Sequence, residues 1–169
     1  MKNTIWDDKF GLIEGVGKDA EIVTNEKGGK QSKSPMAMHL VDPIFLNNWF
    51  SADDDRVLHY ITQYMRNKAK ANLISAVYEC HIELTGSAEK EDMAIVTIAK
   101  VLQEGAEKYS PNNWRLIPEE EHINHALIHY IAYKLGDKQD DHLEHCMCRL
   151  MMAYATEKSE GFDYNKYVA

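Results

Sequence analysis

Cysteine, basic residues and long apolar runs are in short supply in this chain, and each shortage closes a possibility. Three cysteines, Cys80, Cys146 and Cys148, are too few and odd in number for a disulfide scaffold. Cys146 and Cys148 stand two apart in a helical stretch, which sends them to different sides and hinders pairing. The pattern fits a reducing cytosol. Nineteen Lys and Arg against 27 Asp and Glu leave a formal charge of −8. That balance argues against a nucleic-acid polymer as partner, because such affinity rests on cations neutralising phosphates. A single nucleotide remains open to an acidic protein when metal ions supply the positive charge. Apolar runs extend only a few residues, and the N-terminal stretch has no signal-peptide core. The expectation is a soluble cytoplasmic protein without a membrane partner.

What is present is enough for one domain. At 169 residues the chain can bury a real hydrophobic core but not two large ones. The expected organisation is an N-terminal arm and linker over 1–35, a helical domain over 36–158 and a C-terminal tail over 159–169. Short β-prone pieces at 4–6, 10–13 and 21–24, separated by Gly and Asp, point to a small hairpin or an extended arm. The stretch 25–34 reads N-E-K-G-G-K-Q-S-K-S, a linker composition without apolar period.

Beyond Met36 the signals are helical, and the fold class they predict is an all-α bundle. Asp42-Pro43 suits a helix start with Pro in the first turn, and Ser51 followed by Asp53, Asp54 and Asp55 suits another. A helix over about 69–85 carries an apolar stripe of Leu73, Val77, Cys80 and Leu84. The next, about 88–109 and capped by Ser87, is apolar around nearly its whole circumference, which predicts a central position. Its exception is a stripe of Thr97, Lys100, Glu104 and Glu107. Helices over about 118–135 and 140–157 follow, the former stopping at Gly136, and their short connection predicts antiparallel neighbours. N-N-W at 47–49 and 112–114, and H-Y-I at 59–61 and 129–131, echo one another. Lys68 and Leu73 match Lys138 and Leu143 at the same offset, so a duplicated helix-pair unit is inferred.

The chemistry concentrates between 104 and 149. Glu104 and Glu107 lie one helical turn apart and project to one side. A buried carboxylate pair needs a cation, and Asp137, Asp140 and Asp141 offer further hard oxygens suited to Mg²⁺ or Mn²⁺. The alternatives are a solvated helix end for the glutamates and N-capping for the aspartates. His122, His125 and His129 share a stripe, and His142, His145 and Arg149 form another on the next helix. Across a hairpin the two stripes can face one cleft as phosphate donors, acid–base groups or metal ligands, or else form an exposed polar face. In the loop Lys108 to Arg115, both cations suit phosphate charge, Tyr109 or Trp114 suits stacking on a base, and Asn113 suits reading a base edge. Trp114 serves equally well as a packing staple.

The segment from Val101 to Tyr154 resembles the dATP/dGTP diphosphohydrolase domain of phage-encoded proteins, itself similar to the all-α, MazG-like nucleoside triphosphate pyrophosphohydrolases. The matching pieces are G-A-E-K-Y (105–109), N-W-R (113–115), A-L-I-H (126–129), G-D-x-x-D (136–140) and H-L-x-H (142–145). The resemblance implies a helical bundle, Mg²⁺ or Mn²⁺, and cleavage of a nucleoside triphosphate, dATP or dGTP, between the α and β phosphates. It also implies a phage or prophage protein acting in the bacterial cytoplasm as a homo-oligomer, while the internal duplication would instead let one chain supply two half-sites. Glu104, Glu107, Asp137 and Asp140 would be the catalytic metal-holding set. MazG-like enzymes usually carry E-E-x-x-E and E-x-x-D; here the first reads Gln103, Glu104 and Glu107 and the second Asp137 and Asp140, while Ile128 stands where many relatives have Arg. A protein that binds a nucleotide without turnover, and a helical self-association module, are the competing readings.

Overall fold

The computed structural model describes residues 20–51 and 54–156. Within them six helices and one two-stranded hairpin follow in the order β1 (Ile22–Thr24), β2 (Lys30–Ser32), α1 (Pro43–Phe50), α2 (Arg56–Asn67), α3 (Ala71–Thr85), α4 (Met93–Lys108), α5 (Glu119–Lys134) and α6 (His142–Thr156). Short 3-10 turns span Met38–Leu40 and Asn113–Leu116. The all-α class and the short N-terminal β element agree with the sequence. The β-prone pieces at 4–6 and 10–13 lie outside the described residues.

Local chemistry sets most boundaries. The Asp42 carboxylate accepts from Phe45 N at 2.9 Å with Pro43 in the first turn of α1. Asp55 caps α2 by accepting from Leu58 N at 3.0 Å. Gly136 closes α5 with φ +82°, a backbone state that costs a side-chain-bearing residue roughly 1 kcal/mol or more. Ser87 does not cap α4. Its hydroxyl accepts from Glu89 N at 3.0 Å within a turn, and the helix starts only at Met93.

Helices α2 and α3 pair, α5 and α6 pair, and α3 lies against α6 to join the two pairs. Leu58, Ile61, Leu73, Cys80, Leu127, Met147 and Leu150 form the centre of the core. Of the α3 stripe, Leu84, next to the last residue of the helix, is 38% exposed.

The central helix is α5, not α4. Every residue from His122 to Tyr130 is buried. In α4 only Ala94 and Ile98 are buried, while Ile95 stays 69% exposed. An apolar circumference shows that a helix can be covered, not that a neighbour covers it. The polar groups of α5 tolerate burial because they are bonded: Asn124 Nδ2 donates to Met36 O at 2.9 Å and Asn124 Oδ1 accepts from His39 N at 3.2 Å. The echoed H-Y-I triplets lie in α2 and α5, with His59 exposed and His129 buried. No helix among the described residues is long and apolar enough to cross a membrane.

The stretch read as linker contains β2. Antiparallel register pairs Ile22 with Ser32, Val23 with Gln31 and Thr24 with Lys30. Asn25 Oδ1 accepts from both Lys27 N and Gly29 N, closing the turn. The hairpin is stapled to the 3-10 turn after α4: Asn113 Oδ1 accepts from Lys30 N at 2.8 Å, Asn113 Nδ2 donates to Lys30 O at 2.6 Å, and Asn25 Nδ2 donates to Leu116 O at 2.7 Å.

Candidate active site

Helices α5 and α6 run antiparallel, so their two polar stripes meet in layers. In one layer His129 Nδ1 lies 3.0 Å from His142 Nδ1, and the His129 and His145 rings are 5.1 Å apart. Further along, Arg149 NH1 donates to His122 Nδ1 at 3.1 Å, and His122 Nε2–H donates to Trp114 O at 3.0 Å. The stripes therefore form a largely buried interior seam and not an exposed polar face.

One cavity of about 470 Å³ opens beside this seam. Glu104, Lys108 and Tyr109 line it from α4 and its end; Asn113 and Trp114 from the 3-10 turn; His125 and His129 from α5; Asp140, Asp141, His145 and Arg149 from α6 and the loop before it. His129, Asp140 and His145 each offer one ligand atom, and these three atoms lie within 4.8 Å of one another. With His129 Nδ1 committed to His142, Nε2 is the nitrogen left for a ligand. This donor set can hold a divalent cation.

Burial dominates the electrostatics. It pushes His122 down to about 3 and His125 to about 2, with the Arg149 charge adding to both. His129 is held well below the usual imidazole value by burial, then by His145 and His142. Neutral imidazoles are the form that binds metal. Burial also lowers Arg149, to about 10, which leaves it cationic at neutral pH. Among the described residues no carboxylate lies within ion-pair distance of Arg149; its NH1 donates to Gln31 Oε1 at 3.0 Å. A half-buried guanidinium without a carboxylate, at the wall of a cavity, is suited to an anionic ligand.

Other residues singled out in the sequence sit outside the cavity or are committed to bonds within the fold. Glu107 is exposed, its carboxylate 3.4 Å from the Gln103 amide, and does not line the cavity. Asp137 is buried in the α5–α6 turn, accepting from Gln139 N at 2.7 Å, with His142 Nε2 at 3.3 Å. Neither Asp137 nor His142 lines the cavity. Both amide ends of Asn113 are committed to the Lys30 backbone. The Arg115 guanidinium lies 4.1 Å over the Trp114 ring, outside the cavity lining. Sequence reasoning missed Lys30, Ser32, Lys33 and Pro35, which wall the cavity from the hairpin side. Nothing local marks them, since their role comes from a bond to Asn113, 83 positions after Lys30.

A helical hairpin that gathers imidazoles, carboxylates and a guanidinium around one cavity defines a class of all-α protein equipped for a cation and an anionic ligand together. The family model described as dATP/dGTP diphosphohydrolase, N-terminal, matches residues 63–165. That span exceeds half of the chain, which belongs to this family. No curated protein matches, and no solved structure does.

Proposed function

We propose that the protein is a metal-dependent (deoxy)nucleoside triphosphate diphosphohydrolase that converts dATP or dGTP to the monophosphate and pyrophosphate, acting in the bacterial cytoplasm. The observation that carries this is one cavity lined by His129, Asp140 and His145, whose ligand atoms lie within 4.8 Å of one another, with Arg149 one helical turn beyond His145 on α6. Its volume, about 470 Å³, is within the range of small-molecule sites. Family membership supplies the substrate class, and the preference for purine deoxynucleotides rests on it alone.

The residues present fit a divalent metal. His129, Asp140 and His145 would hold it, and Asp141 lines the same cavity. Two imidazoles beside carboxylates suit Mn²⁺ better than Mg²⁺, which prefers an all-oxygen shell. When bound, the ion would supply Lewis acidity towards the phosphates and a lowered pKa for water.

The chain's own groups supply the rest. Arg149 and Lys108 take up charge that builds on the phosphates, and Tyr109 and Trp114 offer aromatic surface to the purine. Glu104, exposed within the cavity wall, accepts the proton of the attacking water. The water oxygen bonds to the α-phosphorus as the bond to the α–β bridging oxygen breaks, and pyrophosphate leaves. Such displacement needs positioning and charge stabilisation more than covalent help.

A second reading is favoured by one observation: Glu107, the last glutamate of the pattern compared with the MazG-like E-E-x-x-E, is exposed and does not line the cavity. A protein with that gap would bind a nucleotide without turning it over. Pyrophosphate release from dATP, dGTP, dUTP and dCTP, with and without Mn²⁺, separates the two. Turnover abolished by Glu104→Gln or Asp140→Asn supports catalysis. Tight binding with the triphosphate recovered intact supports sequestration.

A further inference from the structure

We infer that the β1–β2 hairpin, which lies before the family-matched segment, is the polyphosphate-binding wall of this cavity, with Lys30 and Lys33 as anion-binding residues. The inference rests on the reading of the cavity as a triphosphate site and assigns part of that site to a segment outside the residues 63–165 that define the family.

Three observations converge. The first is position: Lys30, Ser32, Lys33 and Pro35 all line the cavity that holds Arg149 and the cation triad. In a chain of net charge −8, the cavity wall carries Lys30, Lys33, Lys108 and Arg149 against Glu104, Asp140 and Asp141. Positive charge is gathered here against the trend of the whole molecule.

The second is attachment. A loose arm would offer no fixed lysines, but this hairpin is bonded to the site itself. Gln31 Oε1 accepts from Arg149 NH1 at 3.0 Å, while Gln31 Nε2 donates to Glu121 at 3.2 Å. Ser34 Oγ lies 2.9 Å from His125 Nε2. The double bond between the Asn113 amide and the Lys30 backbone fixes Lys30 itself. Gly29 permits the approach: a Cβ there would meet the Leu116 carbonyl oxygen at 2.8 Å.

The third is the charge left to be matched. Arg149 has no carboxylate partner among the described residues, and Gln31 supplies it only a neutral acceptor. Lys33 has one weak partner, Glu21, at 3.8 Å, with both side chains mostly in solvent. Lys30 is exposed and makes its described bonds through the backbone. Two solvent-exposed ammonium groups beside a hydrogen-bonded guanidinium are complementary to a chain of phosphates, which presents several oxygens at once.

The test uses the full-length protein and inorganic tripolyphosphate, followed by calorimetry with and without Mn²⁺. Wild-type protein should bind tripolyphosphate. Lys30→Ala/Lys33→Ala should weaken it by roughly tenfold, as expected for two solvent-facing charge contacts. Lys30→Glu/Lys33→Glu should remove it; the alanine variant should keep wild-type affinity for Mn²⁺ alone, and both variants an unchanged helical circular dichroism spectrum. Wild-type tripolyphosphate affinity in both double variants overturns the inference while leaving the cavity reading intact. Failure of the wild-type protein to bind tripolyphosphate overturns that reading, and the inference with it.

Discussion

Acid should destabilise this fold through two histidines buried in the seam. His122 and His125 have folded-state values near 3 and 2, against 6.5 for the unfolded chain. Above pH 6.5 neither state holds the proton and nothing is lost. Below it the unfolded chain takes up protons that the fold refuses, so stability falls as pH falls, and continues to fall until the folded values are reached. Each such site costs at most about 1.4 kcal/mol per pH unit, or about 1.3 kcal/mol between pH 7 and 5.5. The pair therefore removes roughly 2.5 kcal/mol, a large share of the 5–15 kcal/mol typical of a domain. His129, displaced the same way, adds to the slope. Urea unfolding followed by circular dichroism at the two pH values reads this as a midpoint lower by roughly 1 M at pH 5.5. The His122→Gln/His125→Gln variant should show a markedly smaller drop. Equal midpoints for the wild-type protein at the two pH values, or a higher one in acid, would refute the claim that these imidazoles are buried neutral.

Other expectations are more local. Replacing His129 or His145 with Ala should weaken Mn²⁺ binding by a factor of 10 or more in calorimetry, since each removes one of three ligands. Asp55→Ala removes the α2 cap together with the carboxylate that accepts from Tyr130 OH at 2.9 Å and lies 3.4 Å from Lys134. A loss of roughly 3 kcal/mol in thermal or urea unfolding should result, and Asp55→Asn, which keeps the cap, should lose less. Gly29→Ala forces a contact of 2.8 Å with backbone oxygen and should lift the hairpin, which limited proteolysis at Lys27 and Lys30 would read as faster cleavage.

The parts of this structure legible in the sequence are those decided within a few residues. Asp42-Pro43 and Asp55 mark helix starts, and Gly136 a stop, because capping and a left-handed turn are local chemistry. The arrangement of α5 and α6 followed from a short connection and the spacing of their apolar residues. What could not be read depended on partners far along the chain. The burial of α5 depends on Asn124 reaching Met36 and His39, so hydrophobicity alone favoured α4. The hairpin looked like a linker because its anchor, Asn113, lies 83 positions after Lys30. The same limit acts in the site: His129, Asp140 and His145 stood out as ligand types at helical spacing, but only the folded turn shows Asp137 bonded to Gln139 and Asp140 open to the cavity.

Anomalous diffraction from crystals soaked in Mn²⁺ tests the central claim most directly. The account predicts a peak within coordination distance of His129, Asp140 and His145, on the cavity side. A peak elsewhere in the protein, or none at a Mn²⁺ concentration that supports nucleotide turnover, would contradict it.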